Sequence, residues 1–199
     1  MKIQIRPYTE KDYNYTHDVH RKNMMTYVDK YWGGWNSDVY RRGVCPDMTW
    51  IIEYKSQKVG FFVLSFESKA HLRNIQISSD YQNMGLGSKT LEHCECESIN
   101  KGYDSLYLQV FLDNPARQLY ERRGYVTYKV TESHFMMKKD LTSRAEQTQA
   151  PNACRASDAS LSDRHKLPGN NSCESAYLRR KNRRLRFVAF PYEAFFFLG

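Results

Sequence analysis

The stretch Gln82-Asn83-Met84-Gly85-Leu86-Gly87-Ser88 constrains this chain more than any other. It follows an extended apolar run at residues 72–78 and opens a helical pattern at about residues 87–101. Strand, glycine turn and helix together can hold phosphate. The first backbone N–H groups of a helix have no partner inside it, and the helix dipole adds roughly half a positive charge there. Gly85 and Gly87 lack the Cβ atoms that would hold a pyrophosphate off the backbone. Glycine turns are common, so Q-x-x-G-x-G alone is also compatible with a plain strand-to-helix connection.

A second cluster narrows the choice. The chain reads Tyr107-Leu108-Gln109-Val110 and then Asp113-Asn114-Pro115-Ala116-Arg117-Gln118-Leu119-Tyr120-Glu121-Arg122-Arg123-Gly124-Tyr125. This is a strand, a short helix at about residues 114–123 and a glycine stop, followed by a strand at residues 124–130. The pair of motifs, Q-x-x-G-x-G and then N-P-A-R-x-L-Y-E-R-x-G-Y, resembles the acetyl-CoA site of the GNAT superfamily of N-acetyltransferases. The resemblance covers about residues 1–140.

The chain has 199 residues and a formal net charge of +8. Residues 1–140 carry 20 Lys and Arg against 17 Asp and Glu, and residues 141–199 carry 10 against 5. The first part is nearly balanced and requires no polyanionic partner. No apolar run approaches the roughly 20 residues that span a bilayer, and the chain opens directly on a strand with no signal-peptide pattern. Cys45, Cys94, Cys96, Cys154 and Cys173 are odd in number and irregularly spaced. They suggest no metal site and a reduced, cytoplasmic setting.

Along the chain, residues 2–7 read as a strand. Thr9 and Asp12 form an N-terminal cap for a helix reaching about residue 30. An aromatic-glycine turn, Tyr31-Trp32-Gly33-Gly34-Trp35, separates it from a helix at 37–42. Strands at 49–54 and 59–66 flank a turn at residues 55–58. The strand at 71–78, helix at 87–101, strand at 105–110, helix at 114–123 and strands at 124–130 and 135–138 complete the order. This order implies a mixed α/β (α+β) fold: a sheet of about seven strands with helices on both faces. It is also the order of the GNAT fold. By that resemblance, the central strands at 71–78 and 105–110 splay apart, and Ile75, Gln76 and Ile77 pair with the pantetheine arm.

Two domains of different character are expected: a catalytic domain at 1–140 and a poorly structured extension at 141–199. The extension is small and polar to about residue 171, basic at 177–186 and aromatic at 187–198. It reads either as sequence without a role or as an arm for nucleic acid or an anionic membrane surface.

Acetyl transfer to an amine needs a held thioester, a neutral amine, an oxyanion donor and a proton for the thiolate. By resemblance, Gln82, Asn83, Met84, Gly85, Leu86, Gly87 and Ser88 bind the cofactor's pyrophosphate, and Asn114 contacts pantetheine. The resemblance also brings Tyr120 to the sulfur. A phenol of pKa about 10 stays protonated and can donate to a thiolate of pKa about 8.5. A backbone N–H near Ile77 can meet the oxyanion. Removing the proton from an alkylammonium at neutral pH costs about 4 kcal/mol. Relatives often place a Glu on a splayed strand, but here Gln109 and Arg73 stand on those strands. His71, Glu67, Glu53 and His134 remain as candidate bases, with His134 the most interesting. Arg123 and Tyr125 depart from the usual Leu and Phe, which a partly exposed helix end would tolerate. Tyr31, Trp32 and Trp35 offer aromatic faces to a cationic acceptor.

The expected function is transfer of an acetyl group from acetyl-CoA to a primary amine by direct attack, with no cysteine nucleophile. The alternatives are a non-catalytic acyl-CoA sensor on the same fold and a nucleic-acid or membrane-surface binder acting through the tail. The implied partners are acetyl-CoA and an amine acceptor, with no metal; a homodimer is left open.

Overall fold

The strands follow from alternating apolar residues, and the turns between them set the register. In the computed structural model, which describes residues 2–142, the elements are β1 (Gln4–Pro7), α1 (Tyr13–Trp32), α2 (Ser37–Gly43), β2 (Thr49–Tyr54), β3 (Gln57–Phe66), β4 (Ala70–Ile77), α3 (Leu86–Asn100), β5 (Ser105–Phe111), α4 (Ala116–Arg122), β6 (Val126–Val130) and β7 (His134–Asp140). Order and type match the sequence reading. Ahead of α1, the Thr9 N–H donates to the Asp12 carboxylate at 3.0 Å, as the capping pattern requires. The β2–β3 turn is tighter than expected. Lys55 and Ser56 are left-handed, with φ of 51° and 61°, and Tyr54 pairs directly with Gln57. A two-residue turn of this kind matches the twist of its strands, so β3 begins two residues earlier than the alternation suggests.

The seven strands form one sheet in the order β1-β2-β3-β4-β5-β7-β6. Only β4 and β5 are parallel neighbours. On one face Ile52, Phe62, Leu64, Leu72, Leu106, Leu108 and Met137 pack with Leu86 and Leu91 of α3 and Tyr120 of α4. On the other, Ile51 and Phe61 pack with Tyr8 and with Val19 of α1. Helices therefore cover both faces.

The parallel pair is short. Ala70, His71 and Leu72 pair with Leu106, Tyr107 and Leu108, and the ladder stops there. The cause lies on the other edge of β4. Val63 of β3 faces Asn74 while Leu64 faces Leu72, so Arg73 is an extra residue with no register partner on β3. An extra residue bends a strand and increases its twist, and β4 leaves β5 at that point. The central strands splay as the resemblance implied.

The chain stays packed slightly beyond the expected boundary at residue 140. Leu141 is 1% exposed, lies in the main core and donates its N–H to the Asp104 carbonyl at 2.7 Å. The expectations for the tail fall on residues 143–199, outside the described residues. A chain ending at Asp140 is expected to be about 1.5–3 kcal/mol less stable than one ending at Thr142, the worth of one buried leucine. Urea unfolding would show this as a lower midpoint at an unchanged slope. Equal midpoints would put the end of the packed body at Asp140.

Candidate functional site

The glycine turn sits at the end of β4 and starts α3. Gly85 has a left-handed φ of 79°, a conformation that costs an L side chain roughly 1–2 kcal/mol. Asn83, at φ 60°, tolerates the same region. No side chain caps α3. The Lys89 N–H reaches the Gly85 carbonyl at 3.1 Å, so the N–H groups of Leu86, Gly87 and Ser88 precede the first intrahelical bond and point out of the helix. With the dipole of a 15-residue helix behind them, these N–H groups favour negative charge at that end. Asn83 and Met84 are exposed beside it, while the Leu86 side chain is buried, so Leu86 offers only its backbone.

Two residues of the turn also make contacts within the protein. A Cβ on Gly87 would meet the Leu119 side chain of α4 at 3.2 Å, a tight contact. Gln82 turns back and donates to the Ile77 carbonyl at 3.0 Å, pinning the turn to the strand.

The open edge of β4 has a definite phase. The Ser78 N–H bonds Val59 on β3 at 2.9 Å. Backbone groups alternate sides along a strand, so those of Gln76 face β3 and those of Ile75 and Ile77 face the gap. The backbone of Gln76 is therefore not available there. Its buried side chain turns toward α1 instead, accepting from Asn23 at 3.0 Å and donating to Asn74 at 2.9 Å. Asn23 also donates to the Ile77 carbonyl at 2.9 Å, and Asn74 lies 3.4 Å from His20 Nδ1.

Across the gap, β5 leads into α4. The Asn114 side-chain oxygen accepts from the Ala116 N–H at 2.9 Å and sets the first turn of that helix. Tyr120 is 6% exposed, and burial pushes its phenol above the ordinary value. Cys94 lies nearby on α3, fully buried, its thiol also raised by burial. The end of α4 is partly exposed at Arg123, as the sequence suggested, but Tyr125 beyond it is not. Tyr125 is fully buried edge-on to Tyr120, with ring centres 6.0 Å apart. Arg123 reaches the buried Glu95 carboxylate at 3.2 Å, and Lys139 meets the same carboxylate at 2.8 Å.

The expected aromatic group divides in two. Gly33 and Gly34, with φ of 77° and 129°, turn the chain after α1. Tyr31 and Trp32, before the turn, pack on Phe111 at 5.2 and 5.0 Å, together with Tyr27 at 5.4 Å. Trp35, after it, joins His17, His20 and Tyr40 in a separate cluster. His134 belongs with the first group, 4.1 Å from Phe111, and its Nδ1 lies 2.7 Å from the Ser133 hydroxyl. Burial holds its pKa down at about 4. Beside them, the Asp113 carboxylate accepts from Lys30 and, at 2.9 Å, from the Tyr31 hydroxyl.

The other candidate bases lie elsewhere. Glu53 is on β2, paired with Arg6 at 2.8 Å. Glu67 pairs with Arg73 at 2.9 Å. His71 sits in the closed part of the β4–β5 ladder, with its pKa lowered to about 4 by burial. Sequence reasoning missed Asn23, which reaches the site from α1, and Asn74, Phe111 and Asp113, which lie on or just after the two splayed strands. Among the described residues, no group of His, Cys, Asp and Glu is arranged to hold a metal, and no helix is long and apolar enough to cross a membrane.

The model of the acetyltransferase (GNAT) family matches residues 8–125, more than half of the chain. No curated protein matches. Among solved structures, the fold is similar to PaiA N-acetyltransferase from Thermoplasma acidophilum in complex with coenzyme A, with a TM-score of 0.59 at 19% identity, covering 70% of this chain and 99% of that one. A ribosomal-protein alanine N-acetyltransferase from Escherichia coli has a TM-score of 0.55 at 20% identity, covering 70% and 94%. Ard1 from Thermoplasma volcanium has 0.54 at 18% identity, covering 70% and 98%.

Burial keeps His134 neutral in the folded state, whereas an unfolded histidine takes a proton near pH 6.5. The stability this contributes is present above pH 6.5 and is lost as pH falls toward 4. The unfolding free energy should therefore fall with acidification, and His134→Gln should make the slope shallower by up to about 1.4 kcal/mol per pH unit. Equal slopes in the two proteins would mean that His134 titrates normally.

Proposed function

The chain belongs to the acetyltransferase (GNAT) family, an acyltransferase with acetyl-CoA as its cosubstrate, and on that premise we propose that it acetylates a primary amine by direct attack in a ternary complex. One observation carries this reading: the uncapped end of α3 follows the end of β4, past the point where β4 has left β5, and Tyr120 shares a core with Leu86 at the start of α3. These parts fit the cosubstrate. Acetyl-CoA supplies an activated acetyl thioester. The N–H groups of Leu86, Gly87 and Ser88 hold its pyrophosphate. The gap-facing backbone of Ile75 pairs with the pantetheine amides, while the Ile77 carbonyl is already taken by Asn23 and Gln82, and Asn114 lies on the opposite wall. A backbone N–H of β4 near Ile77 stabilises negative charge on the carbonyl oxygen. Tyr120, protonated at neutral pH, donates to the departing thiolate. His134 is neutral, so its imidazole can accept the proton the amine loses and release it to water, with the Ser133 hydroxyl hydrogen-bonded at Nδ1. Cys94 is buried as a thiol, which supports direct attack over an acetyl-cysteine route.

The three described cysteines form no disulfide, in keeping with the cytoplasmic setting we propose. The acetyltransferase function is assigned to the packed body, with none given to the tail.

Tyr120→Phe is expected to hold acetyl-CoA affinity within a few-fold and to lower turnover by about 10²-fold. Calorimetry with acetyl-CoA and thiol release with a panel of amines check the two halves. Wild-type turnover in the variant would remove Tyr120 from the proton-donor role. Acetyl-CoA binding without thiol release for any amine would favour a non-catalytic sensor.

A further inference from the structure

α1 bridges the open ends of β4 and β5. At one end Asn23 bonds the Ile77 carbonyl, and Lys22 bonds the Ser79 hydroxyl at 2.7 Å. At the other, Tyr27, Tyr31 and Trp32 cover Phe111, the last residue of β5. Asn23, Tyr27 and Tyr31 recur every four residues and so share one helix face.

At the far end of that face an ammonium is already bound. Lys30 Nζ lies 5.0 Å from the centre of the Tyr31 ring and bonds the Asp113 carboxylate, which also accepts from the Tyr31 hydroxyl. A ring face and a carboxylate converging on one nitrogen suit an alkylammonium in particular: the ring quadrupole attracts the charge and the carboxylate accepts its N–H bonds. Lys30 is such an ion on a tether. Its side chain is 56% exposed and that of Asp113 is 49% exposed, so a diffusing ammonium can reach the carboxylate and displace it. Asp113 follows Phe111 by two residues and directly precedes Asn114. It stands past the point where β5 has parted from β4.

We propose that Asp113 and Tyr31 form a subsite for a second positive charge on the acceptor, and that Lys30 holds its place until the acceptor arrives. This rests on the acetyltransferase reading above and names the acceptor class. The attacking nitrogen must be neutral, so an ammonium held by Asp113 is not the one acetylated. Aliphatic diamines and longer polyamines carry both groups. A monoamine fills only the reacting position.

The test uses the full-length chain saturated with coenzyme A and titrated at low ionic strength with 1,4-diaminobutane or butylamine. The diamine is expected to bind wild type about three- to fivefold more tightly, the scale of a half-exposed charge pair. That advantage should vanish in Asp113→Asn, grow in Lys30→Met and shrink with added salt. With acetyl-CoA in place of coenzyme A, kcat/KM for thiol release should follow the same order. Three results would overturn the subsite: no diamine advantage in wild type, an undiminished one in Asp113→Asn, or weaker diamine binding in Lys30→Met. Because Asp113→Asn and Lys30→Met move affinity in opposite directions, general damage to the fold does not imitate the expected pattern. Absence of thiol release with every amine of the wider panel would instead remove the acetyltransferase reading, while the binding ratios would still decide the subsite.

Discussion

The site depends on a broken ladder. A parallel strand pair inside a sheet normally satisfies its backbone groups along its whole length. Here β4 and β5 stop pairing after Leu72 and Leu108, because Arg73 enters β4 as an unmatched residue opposite β3. Backbone groups beyond that point need partners, and side chains supply some of them. Asn23 and Gln82 both donate to the Ile77 carbonyl. The sheet thus presents hydrogen-bonding capacity in its middle rather than at its edge, where it can recognise an extended arm of amides.

The helices around the gap divide the work. α3 brings an uncapped N-terminus to the end of β4 through the left-handed Gly85. α4 lies against α3, with the Leu119 side chain close to Gly87, and its far end carries Arg123, which meets the buried Glu95. Glu95 keeps Lys139 as a second partner, so the anchor at this end of the helix is shared between two cations. α1 spans the other face and closes the gap from the side opposite α3 and α4.

Much of this was legible in the sequence, for local reasons. Turn glycines, alternation and the two motifs placed every strand and helix in order. The bulge at Arg73 also left a trace that was not read. The core-facing residues of β4 are Ala70, Leu72, Ile75 and Ile77, and the three-residue step from Leu72 to Ile75 breaks a period of two. Other features had no local trace. Asn23 and Ile77 lie far apart in sequence, and an amide reaching a distant carbonyl leaves no periodic signature. Trp32 and Trp35 read as one aromatic group until the two intervening glycines turned the chain between them. The environment of Arg123 and Tyr125 depends on Glu95, a carboxylate on a helix that nothing in the sequence marks as buried.

The claim that α3 and the open edge of β4 together receive the cosubstrate is tested most directly by amide hydrogen exchange, resolved by residue, with and without coenzyme A. Slower exchange is expected at Leu86, Gly87 and Ser88 and at Ile75, with little change at Gln76, whose N–H already faces β3. Unchanged exchange at all of these positions under saturating coenzyme A, or protection confined to another part of the sheet, would contradict the account.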